Sequence, residues 1–166
     1  MVYTTHYQSP LGALLLAARG DALAGLWLEG QKYFLGSLKE PAEPMEGHPV
    51  LLQAGDCRSR YFAGERPDSG ELKLDPGGGE FRRTVWEELC RIPYGSVTTY
   101  GALARTVAAR LGRASMSAQA VGGAVGHNPI SILIPCHRVV GSTGKLTGYA
   151  YGVEMKQYLL ELEQQE

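Results

Sequence analysis

Three consecutive residues, Cys136, His137 and Arg138, have the types needed for nucleophilic chemistry. They follow Pro135 at the end of the apolar run "ISILI". A thiol attacks as thiolate, so it needs a base or a cation beside it. His137 is such a base and Arg138 such a cation. Neighbouring side chains on a regular strand point to opposite faces, so Cys136 and His137 can cooperate only if the chain turns there. Pro135 gives it a reason to turn. A working histidine also needs an acceptor on its second ring nitrogen. No Asp or Glu occurs in residues 89–153, so the acceptor comes from elsewhere, and Glu154, Glu161 and Glu163 are the candidates. On the residues alone Cys136 is a packed thiol, a metal ligand or a nucleophile. The four histidines are scattered and no Cys-x-x-Cys pair exists, which argues against a structural zinc site.

The segment that carries this triplet is unusual in charge. Residues 1–88 hold nine Lys and Arg against thirteen Asp and Glu. Residues 89–153 hold six cations (Arg91, Arg105, Arg110, Arg113, Arg138 and Lys145) and no acid. Residues 154–166 return to a net of −3, so the whole chain sums to −1. Such a segment is either an ordinary loop-rich surface or a face cleared of anions because it meets a polyanion. We favour the second. Three cysteines, an odd number at wide spacing, fit a reducing compartment and not a disulfide framework. No apolar run approaches the roughly 18 residues that span a bilayer. The opening "MVYTTHYQSPLG" has no basic stretch followed by an apolar one, so no export signal is expected.

The elements that position the triplet follow from hydrophobic pattern. "VYTTHYQ", "ALLLAA" and "ALAGLWL", separated by the turn signals "SPLG" and "RGD", predict three antiparallel strands. "HPVLLQAGDCRSRYFAGE" predicts a helix with Val50, Leu51, Ala54, Cys57, Tyr61 and Phe62 inward. "RPDSGELKLDPGGG" is a linker, which divides the chain into domains at 1–76 and 77–166. Phe81, Val85, Trp86, Leu89 and Ile92 predict an amphipathic helix that stops before Pro93, with Cys90 in its core. Two helices at about 100–111 and 117–126 form a helix-turn-helix candidate. "ISILI" predicts a buried strand. A last helix, "VEMKQYLLELEQ", turns Met155, Tyr158, Leu159 and Leu162 inward.

"IPCHRVVGSTGKLTGYAYGVEMKQYLLELE", preceded in order by "FRRTVWEEL", "GSVTTYGALA" and "AVGGAVGHNP", resembles the O6-alkylguanine-DNA alkyltransferases. The likeness covers residues 81–163, and "PCHRV" is its most specific part. It implies an α+β fold: a small antiparallel-sheet, ribonuclease-H-like N-terminal domain packed on a mostly helical, winged helix-turn-helix-like DNA-binding domain. It implies a protein that accepts an alkyl group once, from O6-alkylguanine and also O4-alkylthymine in nucleotides flipped out of the duplex. Cys136 would be the acceptor. His137 would deprotonate it through a water, and Glu163 would orient His137. Tyr100 would give a proton to the leaving guanine, and Asn128 would act as a hinge. Backbone groups at Cys136 and Val139 would read the guanine amine, and Tyr149 would line the pocket. Ala118, Gln119, Arg113, Ala150 and Arg138 complete the expected DNA and substrate contacts. Gln119 stands where the family usually carries an arginine that fills the gap left by the flipped base, and Ala150 where some relatives have a serine. Arg113 is expected to offset the lost charge at the phosphates. The resemblance implies no cofactor or metal, minor-groove binding to double-stranded DNA, a monomer and a cytoplasmic location. A lesion sensor without an acceptor, a Cys-His hydrolase and a DNA-binding regulator with an inert thiol are the other readings. Mass measurement after exposure to an O6-methylguanine oligonucleotide separates them.

Overall fold

The computed structural model describes residues 2–29, 41–67, 72–144 and 152–164. The chain forms two compact units, Met1–Gly77 with Pro129–Leu133, and Gly78–Asn128 with Ile134–Glu166. Mixed sheet and helix segregate as an α+β fold, with the sheet in the first unit and most helix in the second. No helix among the described residues is long and apolar enough to cross a membrane.

In the first unit, β1 (Val2–Ser9), β2 (Gly12–Arg19) and β3 (Ala22–Leu28) form the expected antiparallel meander. Its two turns are tight. Gly12 and Gly20 sit at φ +112° and +60°, where a side chain would be strained. Leu14 to Ala18 of β2 are all buried, so this central strand is covered on both faces and reads as an unbroken apolar run. A fourth strand, β4 (Ala42–Pro44), pairs in parallel with β1. It is too short to leave a periodic signal, and the sequence reading did not anticipate it. α1 (Pro49–Phe62) begins behind His48, whose Nδ1 accepts from the Val50 N–H at 3.1 Å. Its inward face holds Leu51, Ala54, Cys57 and Tyr61 as expected, but adds Gly55 and Arg58. Arg58 donates to the Gln8 carbonyl at 2.6 Å and lies 4.8 Å over the Tyr7 ring. Val50 and Phe62 are only half-buried.

Pro129–Leu133 is the "ISILI" region, and it is not a regular strand. Leu26 of β3 donates to the Pro129 carbonyl and accepts from Ser131 N–H, which makes one isolated bridge at Ile130. Ile132 then enters the left-handed region at φ 72°, a rare place for a β-branched residue, and the strand pairing ends. Apolar composition correctly signals burial here, but burial does not require extended geometry.

In the second unit, α2 (Glu80–Leu89) buries Val85, Trp86 and Leu89. It ends before the expected stop near Pro93. Arg91 and Ile92 close short turns onto Glu88 and Leu89, and Cys90 becomes an exposed C-cap instead of a core residue. β5 (Thr98–Thr99) leads into α3 (Tyr100–Arg110), which Thr99 caps. After a short connection, Ser117 caps α4 (Ala118–Gly126) by accepting from Gln119 and Ala120 N–H. The Trp86 indole N–H donates to the Ala124 carbonyl at 2.8 Å and fastens α4 to α2. β5 pairs in parallel with β6 (Val139–Val140). α5 (Val153–Gln164) turns Lys156, Leu159, Leu162 and Glu163 inward. Tyr158 is 38% exposed and Met155 half-buried, so the helix is rotated from the face that its apolar residues predicted.

Candidate active site

The turn that Cys136 and His137 require is present. After Pro135 the chain makes one turn of 3₁₀-helix, Cys136–Arg138. Arg138 N–H closes it onto the Pro135 carbonyl at 3.0 Å. Three residues per turn separates successive side chains by about 120°, not the 180° of a strand. Cys136 is 3% exposed and His137 fully buried. Just before the turn, Asn128 is buried and donates from Nδ2 to the Ile134 carbonyl at 2.8 Å. That bond ties the end of α4 to the start of the active turn.

Glu163 of α5 organises the charges. Its Oε2 lies 2.5 Å from His137 Nε2. Arg138 donates to both carboxylate oxygens, from Nε at 2.8 Å and Nη2 at 3.0 Å, and Gly95 N–H reaches Oε1 at 3.3 Å. A third Arg138 nitrogen, Nη1, donates to the Ile92 carbonyl at 2.7 Å. With Nε2 engaged by Glu163, Nδ1 is the ring nitrogen that can take a proton. Burial pushes the His137 imidazolium below its ordinary range, and the Arg138 and Lys156 charges act the same way. The Glu163 bond opposes them without winning. His137 is therefore a neutral base.

Lys156 is the residue that sequence reasoning missed. It is 1% exposed, and its ammonium lies 5.7 Å over the Tyr100 ring. Burial lowers its pKa to about 8, partly offset by the Cys136 sulfur nearby. At neutral pH it is a desolvated cation beside the thiol. Its one signal in the sequence is position: it precedes Glu163 by seven residues, two helical turns, and so shares its face.

The model of the 6-O-methylguanine DNA methyltransferase ribonuclease-like domain matches residues 1–76, and that of the corresponding DNA-binding domain matches residues 80–165. The chain is 41% identical to the methylated-DNA–protein-cysteine methyltransferase of Methanosarcina barkeri, over 98% of both chains. It is 40% identical to that of Mycobacterium tuberculosis, over 98% of this chain and 93% of the other. The crystal structure of Mycobacterium tuberculosis OGT in complex with DNA superposes with a TM-score of 0.82, at 40% identity, over 98% of this chain and 92% of that one. An O6-methylguanine DNA methyltransferase from Methanococcus jannaschii gives 0.65 at 26% identity over 98% and 94%. This chain belongs to the methylated-DNA–protein-cysteine methyltransferase family. As a member of it, the chain is a transferase with a DNA-binding domain.

Of the residues expected to act in this methyltransferase, Cys136, His137 and Glu163 come together at the turn and Asn128 braces it. Tyr100, half-buried at the start of α3, joins the group through Lys156, and Gly122 of α4 lies under its ring. Val139 is buried in β6, directly after the turn. Ala118, Gln119 and Arg113 are exposed on α4 and the connection before it. Arg138 departs from expectation. It was to contact DNA, but its guanidinium is turned inward and committed to Glu163 and Ile92, with the whole residue 9% exposed. Tyr149 and Ala150 lie outside the described residues. The basic face is also smaller than the charge count suggests. Arg110 pairs with Glu87 and Glu88, and Arg91 with Glu88. Arg105 and Arg113 are exposed and make no ion pair among the described residues.

Proposed function

We propose that this methyltransferase repairs O6-alkylguanine, and O4-alkylthymine, by moving the alkyl group to Cys136 in a single irreversible step. His137 takes the thiol proton through a water, and Lys156 stabilises the thiolate that results. The sulfur attacks the alkyl carbon, the carbon–O6 bond breaks, and its electron pair stays on the base. Tyr100 supplies a proton so that guanine departs neutral. The product is a thioether, which no neighbouring base can cleave, so each chain reacts once and no cofactor is consumed. The observation that carries this reading is the buried Cys136, with a neutral, Glu163-held His137 and the Lys156 cation around one turn.

The damaged nucleotide leaves the stack to reach a buried sulfur. In our reading α4 enters the minor groove by its small, uncharged face. Gln119 fills the gap and hydrogen-bonds the orphaned base, while Arg113 and Arg105 meet phosphates. Asn128 keeps that helix and the active turn in register. The protein acts as a monomer in the cytoplasm, where three free cysteines persist. The test is the mass of the wild-type chain and of Cys136→Ser after incubation with duplex carrying O6-methylguanine. One added methyl, found on Cys136 and lost in the variant, is expected. Methyl on Cys57 or Cys90 instead would overturn the assignment.

A further inference from the structure

Resting on the alkyl-transfer reading above, we propose that Arg138 is a positioning residue for the reaction. Its guanidinium pins both oxygens of Glu163 and balances that charge, so that His137 works as a neutral base and does not rest as a charged ion pair.

The geometry is a fork. Nε and Nη2 each take one carboxylate oxygen, at 2.8 and 3.0 Å, in the bidentate arrangement that guanidinium alone provides. Nη1 is fixed separately by the Ile92 carbonyl, and the Tyr94 ring lies 5.6 Å from the guanidinium carbon. With three nitrogens committed indoors, Arg138 is not a phosphate contact. A carboxylate 2.5 Å from a histidine ordinarily favours imidazolium. Here the same carboxylate also accepts from Arg138 twice and from Gly95 N–H. Glu163 and Arg138 cancel, and neutral His137 leaves the trio without net charge. Protonating His137 would create an uncompensated buried cation beside another, Lys156. The charged groups that act on His137 are Glu163 and Lys156 from α5 and Arg138 from its own turn. Cys90, at the end of α2, feels the Arg138 charge. Burial is the largest cause that keeps His137 neutral, and the Arg138 charge acts in the same direction. Glu163 is left to orient the ring, and a neutral Nδ1 can accept the thiol proton.

The experiment is single-turnover methyl transfer from an O6-methylguanine duplex, followed against pH for wild type, Arg138→Lys and Arg138→Met. Removing the charge should move the acid limb of the rate profile upward by about one pH unit, the scale on which one adjacent charge acts. Arg138→Lys keeps the charge and loses the fork. Its limb should stay at the wild-type position while its rate falls. A uniform loss of rate in both variants, with the limb unmoved, would mean that Arg138 only supports the fold. Wild type alone gives a second readout through the ¹⁵N signals of His137. They should report a neutral ring at pH 6.5, the ordinary histidine midpoint, and a charged ring there would overturn the proposal. Methylation of Cys136 in wild type is scored in the same samples. Its absence would sink the alkyl-transfer reading, whereas its presence with an unmoved limb would sink only the role of Arg138.

Discussion

Lys156 is a buried cation whose placement costs the fold and whose charge acts on the Cys136 sulfur. Its folded pKa of about 8 lies well below the ordinary 10.5. Holding it protonated at neutral pH therefore costs on the order of 3 kcal/mol. Between these two values the unfolded chain binds more protons, so this group makes stability rise with pH across that window. Lys156→Met should melt higher at neutral pH, lose that rise, and transfer methyl at least about tenfold more slowly, consistent with one lost thiolate-stabilising charge. Thermal melts at several pH values and single-turnover rates check both halves. His137 follows the same sign on the acid side. Its lowered pKa means that its contribution to stability is lost as pH falls below 6.5. Cys136 and His137 were legible from their types and from Pro135. The choice of Glu163 over Glu154 and Glu161 was not legible from the residues and came with the resemblance. Lys156 and the inward turn of Arg138 were hidden, because pattern reading assigns every charge to the surface.

At the level of elements, the site stands on one rotated helix and one tied turn. α5 was predicted from its apolar residues, which put Met155 and Tyr158 inside. The real inner face trades them for Lys156 and Glu163, a substitution that hydrophobic periodicity scores as noise. The "ISILI" run was legible as buried but not as kinked, since nothing in an isoleucine announces the left-handed geometry of Ile132. Asn128 holds the next turn through the buried bond from Nδ2 to the Ile134 carbonyl. Asn128→Ala should cost about 1 kcal/mol in denaturant titration, from one lost buried hydrogen bond, since the Ile134 carbonyl still accepts the Cys136 N–H, and it should slow transfer as well. Gly55→Ala is the contrast. A Cβ there would lie 2.5 Å from the Tyr7 ring, so it should also cost about 1–3 kcal/mol by overpacking. Gly55 belongs to the first unit and the active turn to the second, and folded Gly55→Ala protein should transfer methyl at the wild-type rate.

Over the whole molecule, the distribution of charge bears on the proposed DNA face. The acid-free segment was readable as a face for a polyanion, but counting charges along the chain overstated it. Arg91, Arg110 and Arg138 are matched by Glu87, Glu88 and Glu163, which lie just outside the segment in sequence and against it in space. With Arg91 and Arg110 paired to carboxylates and Arg138 buried, affinity for duplex should fall less steeply with salt than six free cations would give, and Arg113→Ala should reduce the log–log slope by about 1. Fluorescence anisotropy across a salt series measures this. An unchanged slope would remove Arg113 from the interface. The central claim, that Cys136 is a single-use acceptor, is tested most directly by titration with excess duplex carrying radiolabelled O6-methylguanine. The account predicts a plateau at one methyl per chain, all of it on the peptide containing Cys136. Label released from the protein, or transfer that continues past one equivalent, would contradict it.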